Sequence, residues 1–281
     1  MTLLKIATLC IISLLHLLLS ESYASSDRLS LALCLFTKDQ CEDIREWVEY
    51  HFSIGVTNII ILDDNSSTPC LHEIQDYLHS GFISHYIFFN HDGGNKHQYS
   101  YNLCLRNFRP KYSHIGFIDI DEFIVIKNKS KSIIDLLEPY KSYPGLTLNS
   151  MFFGSSGHMK RPAGGVLKNY NKCTKDSHVK VIVNTQLTIR NYGPHTFKHK
   201  QGDYPVDTNF KAVESPWNPS ADKVPADSLF EVAYLNHYVL KSYEEFKLMH
   251  KRRFRELNFF DETDKRMTSE CELLSPRSTR L

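Results

Sequence analysis

An excess of charge of either sign is the first thing this sequence lacks. Thirty-three lysines and arginines stand against thirty-two aspartates and glutamates over 281 residues, a formal net charge of +1. No global field is left to gather nucleic acid or an anionic membrane, so any anionic partner must be held locally. No Gly-x-Gly-x-x-Gly follows the first apolar run and no Gly-Lys-Ser or Gly-Lys-Thr occurs, which removes the redox-dinucleotide fingerprint and the P-loop. The seven cysteines show no zinc-clamp spacing, and there is neither an internal repeat nor a low-complexity tract.

What is present is enough apolar material for a full core, with 42% hydrophobic and 12% aromatic residues. Residues 1–24 carry Lys5, an apolar run from Ile6 to Leu19 interrupted by His16, and the small-residue pattern Ser22-Tyr23-Ala24. This is the layout of a signal peptide or of a retained signal anchor. Either alternative puts the remainder in the secretory pathway (a Golgi-type lumen, membrane-anchored), outside the cell, or in a periplasm. Beyond Cys10, the even set Cys34, Cys41, Cys70, Cys104, Cys173 and Cys271 is compatible with disulfides of open connectivity. Cys34 and Cys104 lie inside apolar patterns and read instead as buried small hydrophobes.

From Leu29 the pattern alternates strand and helix. Strands are predicted at 29–36, 57–64, 83–89 and 114–126, with helices at 43–55, around 71–78 and at 98–108. Short connections and this alternation imply an α/β fold of parallel strands flanked by helices. After residue 145 the beat weakens. A strand leads to the glycine loop ending at Gly157, shorter strands fall at 179–184 and 187–192, and a long connection runs from Gly193 to Asp227. Ser242 with Glu245 three residues on opens a late helix as a capping box. The domain is expected over 29–260, with 261–281 as a loose polar tail.

Open sheets of this kind bind ligands beyond the carboxyl ends of their strands. Acids fall there repeatedly: Asp39 after strand one, Asp63 and Asp64 at the end of strand two, His91 and Asp92 after strand three, Asp119 and Asp121 late in strand four. Asp119 and Asp121, two apart on a strand, project to one side and can converge on a cation. Oxygen ligands favour a hard ion such as Mg²⁺ or Mn²⁺, which keeps positions open for substrate phosphates. Asp63 and Asp64 suit hydrogen bonds to a nucleoside's ribose or base, and DDNSS is equally good Asx-turn chemistry.

Several runs together resemble glycosyltransferase family 92 and the related family-2-like transferases of the GT-A fold. They are TKDQ-x5-EWVEYH-x3-GV at 37–56, ILDDNSS at 61–67, the helix opening Gln98–Cys104, FIDIDEF at 117–123, FFGSSG at 152–157 and NHYVLKSYEEF at 236–246. The resemblance runs from about Leu31 to Leu257. It implies a GT-A, Rossmann-like nucleotide-diphospho-sugar transferase fold with a mixed, mostly parallel sheet. It also implies transfer from a nucleotide-sugar donor, usually a UDP-sugar, to a glycan or glycoconjugate acceptor, with Mn²⁺ on the Asp-x-Asp motif and inversion at the anomeric carbon. Asp39, Asp63, Asp64, Gln98 and Lys241 are then the donor-side residues. A late histidine, His195 or His237, would add a metal ligand, and the matching motif around His237 favours it. Two departures stand out: Asp39-Gln40 replaces the Asn-Glu common after the lysine of strand one, and 199–230 has no counterpart.

Glycosyl transfer to a hydroxyl also needs a carboxylate to take its proton. Asp203, Asp207 and Glu214 are the candidates, unranked. Asp119→Asn is expected to abolish transfer with the fold largely intact. The alternatives are a metal-dependent phosphohydrolase of nucleotide sugars and a carbohydrate-binding protein that kept the fold without turnover.

Overall fold

The computed structural model describes residues 29–67, 70–87, 95–193, 195–214, 227–249 and 257–278. Residues 1–24, where a signal peptide or anchor is expected, and the pair His91–Asp92 lie outside them. In chain order the strands and helices are β1 (Leu31–Thr37), α1 (Ile44–Ser53), β2 (Asn58–Asp63), α2 (Gln75–His79), β3 (Ile83–Ile87) and α3 (Lys96–Phe108). Next come β4 (His114–Phe117), β5 (Glu122–Ile126), α4 (Ile133–Leu137), β6 (Gly145–Phe153) and β7 (Lys172–Asn184). The chain closes with β8 (Thr188–Gly193), β9 (Thr196–His199), β10 (Ala233–His237), α5 (Tyr243–Met249), α6 (Leu257–Arg266) and β11 (Ser269–Glu270).

One sheet runs in the order β3-β2-β1-β4-β7-β6-β10-β5, with β11 added to β7. The first four neighbours are mutually parallel, β7 is antiparallel to β4 and β6, β10 is parallel to β6, and β5 is antiparallel to β10. β1 is buried on both faces, as a central parallel strand must be. Its alternate residues Leu31, Leu33 and Leu35 pack with Trp47 and Val48 of α1, whereas Ala32 and Cys34 pack with Tyr101, Cys104 and Leu105 of α3. Cys34 and Cys104 are free buried thiols in that second layer.

Three expectations change. The run 114–126 is two strands: β4 ends at Phe117, Asp119–Asp121 form a turn, and β5 resumes at Glu122 at the far edge of the sheet. The alternation visible at 179–184 belongs to a thirteen-residue strand that begins at Lys172, since its outer half carries charges that mask the period. The expected loose tail is built into the sheet: β11 pairs with Cys173 and Lys172, Met267 is buried, and Cys271 is disulfide-bonded to Cys173. Cys41 is disulfide-bonded as well.

The Cys173–Cys271 bond closes a sequence separation of 98 residues. Cross-links of such long loops remove much denatured-state entropy, so reduction is expected to lower stability by about 2–4 kcal/mol. Guanidinium melts of the parent and of a Cys173→Ser, Cys271→Ser double variant, which leaves the Cys41 bond in place, measure it; coincident midpoints would show that β11 docks as firmly without its staple.

Candidate functional site

The open edge of β5 explains the motif EWVEYH, residues 46–51 of α1. An edge strand leaves backbone groups without a ladder, and here α1 supplies the partners. The Trp47 indole N–H donates to Asp119 O (3.1 Å) and Glu122 O (2.9 Å), and Tyr50 Oη donates to Ile124 O at 2.8 Å. His51 Nδ1 lies 2.8 Å from Trp47 O while its Nε2 accepts from Ile124 N at 3.4 Å. Burial pushes this imidazole down to about 3, so it is neutral and both ring nitrogens serve the backbone. The Asp119–Glu122 turn is thereby fixed from beneath by a tryptophan, a tyrosine and a histidine.

Above this brace the three acids diverge in role. Asp119, with a third of its side chain exposed, meets Lys180 Nζ at 2.6 Å, Tyr101 Oη at 3.1 Å and His97 Nε2 at 3.4 Å. Burial would raise its pKa, yet Lys180 and His97 hold the carboxyl well below the usual range. Glu122, fully buried, accepts Asp119 N at 2.9 Å and lies 3.3 Å from Lys180 Nζ. Burial raises its pKa against the pull of Lys180. Asp121 makes a looser contact, 3.5 Å from His237 Nε2, and its carboxylate is 16% exposed. His237 Nδ1 is 3.6 Å from Glu122 Oε1. Burial alone would lower the His237 pKa, but Asp121 and Glu122 push it up to about 9.

A divalent cation fits this donor set in chemistry. Asp119, Asp121 and Glu122 bring three negative charges against one permanent cation, Lys180. Glu122 Oε1 has no hydrogen-bond partner among the described residues. Among the described residues no group of three or more His, Cys, Asp or Glu is arranged to hold a metal ion as it stands. The fit is therefore one of chemistry, carboxylate oxygens suited to a hard ion that keeps positions for substrate oxygens, and not of preformed geometry.

The fold brings Asp39, Asp63 and Asp64 to the same rim, in structural employment. Asp39 Oδ1 accepts from Ser67 N (2.6 Å), and Asp63 Oδ1 accepts from Ser66 N (2.8 Å), the Asx-turn alternative. Asp64 is gripped by Lys96 at 3.0 Å, with Lys38 Nζ 3.6 Å away. Gln98 Nε2 donates to Asn191 O at 3.3 Å and so ties α3 to the β8–β9 hairpin. The buried ammonium of Lys241 is paired with Asp43, and its charge also helps to hold the Asp121 carboxyl low. His195, in the β8–β9 turn, places Nδ1 2.6 Å from Val179 O, and burial with the nearby Lys180 pushes it down to about 4.

The three proposed bases are not brought there. Val206 bridges Leu146 at the start of β6, and Asp207 Oδ1 accepts from Asn209 N and Lys211 N in a tight turn beside it. Asp203 N bonds Lys200 O just past β9, and Val213, next to Glu214, bonds Pro205 O. All are linked to the amino end of β6, whereas Phe152 at its carboxyl end is the residue opposite His237. Conversely, Lys180, His97, Tyr101 and Trp47 were missed as site residues. Lys180 carried a signal: a lysine within the apolar alternation of VKVIVN has to be buried and therefore paired.

The sheet is mixed and mostly parallel, and its acidic turn lies at the carboxyl rim, where open α/β sheets bind their ligands. The chain belongs to glycosyltransferase family 92, whose sequence profile matches residues 30–271. A family 92 protein of Ricinus communis is 23% identical over 249 residues, covering 83% of this chain and 39% of its own length. One from Oryza sativa subsp. japonica is 30% identical over 149 residues, covering 50% of this chain and 24% of its own. The chain thus spans less than half the length of these curated relatives. Among solved structures, a mycobacterial protein aligns with TM-score 0.37 at 12% identity, covering 84% of this chain and 75% of that one. A mannosyltransferase of Pyrobaculum calidifontis, solved with GDP-Man and Mn²⁺, aligns with TM-score 0.33 at 10% identity over 44% of this chain and 36% of that one.

Proposed function

We propose that this domain moves a sugar from a nucleotide-diphosphate donor, of the UDP class, to a hydroxyl of a glycan or glycoconjugate, with inversion at the anomeric carbon and with Mn²⁺ or Mg²⁺ bound. The observation that carries the reading is the Asp119–Glu122 turn, clamped by Trp47 and facing His237 at the carboxyl rim, in a chain of family 92. Asp121 and His237 would hold the ion, and Asp119 would join them when Lys180 yields its place. An ion held there would supply Lewis-acid stabilisation for the negative charge of a departing diphosphate. Lys38 and Lys96, both about half exposed at the ends of β1 and the start of α3, are placed to neutralise phosphate oxygens. Asp63 and Asp64 order the loop against which a nucleoside would rest. The near-zero net charge gives no support to a nucleic-acid partner.

The disulfide chemistry of Cys173 and Cys271 supports a lumenal or extracellular location, with residues 1–24 as signal or anchor. The reading is tested by incubating the full chain with UDP- and GDP-sugars and mixed oligosaccharide acceptors, with Mn²⁺ or with EDTA, and resolving the products by mass spectrometry. A new glycoside formed only with the metal is expected. Free sugar in place of a glycoside would favour the phosphohydrolase, and nucleotide-sugar binding without any product would favour a binding protein.

A further inference from the structure

Transfer to a hydroxyl requires a group to take its proton, and Asp203, Asp207 and Glu214 sit at the other end of the sheet. We propose that His178 is that base and that Asp176 positions it; this rests on the glycosyltransferase reading above. The pair stands on a β-bulge. Along β6 the pairing passes from Asn149 to Met151, while along β7 it jumps from Val179 to Lys175. Asp176, Ser177 and His178 are thereby lifted out of the ladder. Bulges of this kind re-aim a side chain and concentrate beside active sites.

The lifted residues form a carboxylate–imidazole pair. Asp176 Oδ1 accepts from His178 N at 2.9 Å and from His178 Nδ1. The carboxylate is itself 10% exposed, and Arg266 stands 3.8 Å from its other oxygen. A proton fixed on Nδ1 by a carboxylate makes Nε2 the acceptor nitrogen, the tautomer a general base needs. The imidazole is 39% exposed, so a hydroxyl can reach it.

Its neighbours place it across from the leaving-group side. The His178 ring stacks on Phe152 (centroids 5.4 Å, 29°), and the other edge of that contact is His237, met by Phe152 at 5.0 Å and 84°. Phe152 thus touches both the His178 imidazole and the histidine beside Asp121, and the His195 ring from the β8–β9 turn stands 6.1 Å from that of His178. In the step, the Nε2 lone pair takes the acceptor's O–H proton as that oxygen bonds to the anomeric carbon. The anomeric bond to the diphosphate breaks with its electron pair leaving on the nucleoside diphosphate, and the imidazolium then releases its proton to solvent.

The test uses the full chain with His178→Ala, His178→Gln and Asp176→Asn. Both His178 variants should lose transfer by about 10²–10⁴-fold, the usual worth of a positioned base. Calorimetric binding of uridine diphosphate with Mn²⁺ should stay unchanged, and added imidazole should restore about tenfold or more to His178→Ala, a response a structural histidine does not give. Asp176→Asn should slow transfer without imidazole rescue. A His178→Gln enzyme within about threefold of the parent overturns the proposal, as does a slow His178→Ala enzyme that imidazole leaves slow. A parent chain that moves no sugar brings down the functional reading itself, whereas an active parent with unaffected variants brings down the dyad alone.

Discussion

Asp121→Asn is expected to slow sugar transfer by about a thousandfold or more while moving the melting temperature by no more than about 2 °C. The reason lies in how differently the two aspartates of the motif are held. Asp119 already has a lysine at 2.6 Å, a tyrosine hydroxyl and a histidine on its oxygens, whereas among the described residues the close partner of the Asp121 carboxylate is His237, at 3.5 Å. Its carboxylate is therefore the more available ligand, and its loss removes several kcal/mol of charge stabilisation from a departing diphosphate, which is three decades in rate. The backbone of the turn is untouched, because Tyr238 N bonds Asp121 O and the indole of Trp47 bonds its neighbours. Asp119→Asn, which sequence alone presented as the clean test, is not clean. It leaves Lys180, 2% exposed, with Glu122 as its remaining close carboxylate at 3.3 Å, so a loss of about 2–3 kcal/mol of stability should accompany the loss of activity. Transfer rate, uridine diphosphate binding with Mn²⁺, and thermal melts on both variants separate the two roles. An Asp121→Asn enzyme keeping more than about a tenth of the parent rate would remove that carboxylate from the metal side.

The parts legible in the sequence were those fixed by local period. β1, α1, β2, α3 and the capping box at Ser242–Glu245 follow from apolar spacing, and the structure has both box hydrogen bonds, at 3.2 and 3.1 Å. The split between β4 and β5 was not legible, because Ile118 and Ile120 are buried in the turn just as they would be in a strand. What breaks the strand is an indole 72 and 75 positions earlier that accepts no substitute from the local sequence. The same limit applied to the base. Asp207 looked suitable in a loop rich in turn formers, but which end of β6 that loop meets is decided by the Val206–Leu146 bridge, a long-range fact. The Asp176–His178 pair was hidden for the opposite reason: its residues lie two apart in plain view, and only the bulge shows that they leave the ladder.

The largest expected loss of stability comes from the buried ion-pair cluster around Asp43. Asp43, 3% exposed, accepts from Lys241 and, at 2.5 Å, from Arg161, while Arg161 also reaches Glu245 and Glu245 accepts from Tyr170 Oη at 2.7 Å and Ser242 Oγ at 2.6 Å. Burial would raise the Asp43 pKa, but Lys241 and Arg161 lower it below the usual carboxylate value, so the carboxylate is charged at neutral pH. Asp43→Ala then strands the buried Lys241 ammonium beside a guanidinium that keeps only Glu245 and Glu42 of its carboxylates among the described residues, and breaking a buried pair from one side costs about 3–5 kcal/mol. For a domain of this size that is a fall of roughly 10 °C in melting temperature. Lys241 holds a left-handed backbone, φ 53°, four residues after His237, so the network also fixes how the chain leaves β10. A second change, Lys241→Met in the Asp43→Ala background, removes one stranded cation and should recover part of the loss, a coupling that a thermodynamic cycle reads directly. If the double variant is no more stable than Asp43→Ala, charge stranding is not the cause, and the deficit belongs to the packing of α1 against the segment that carries His237.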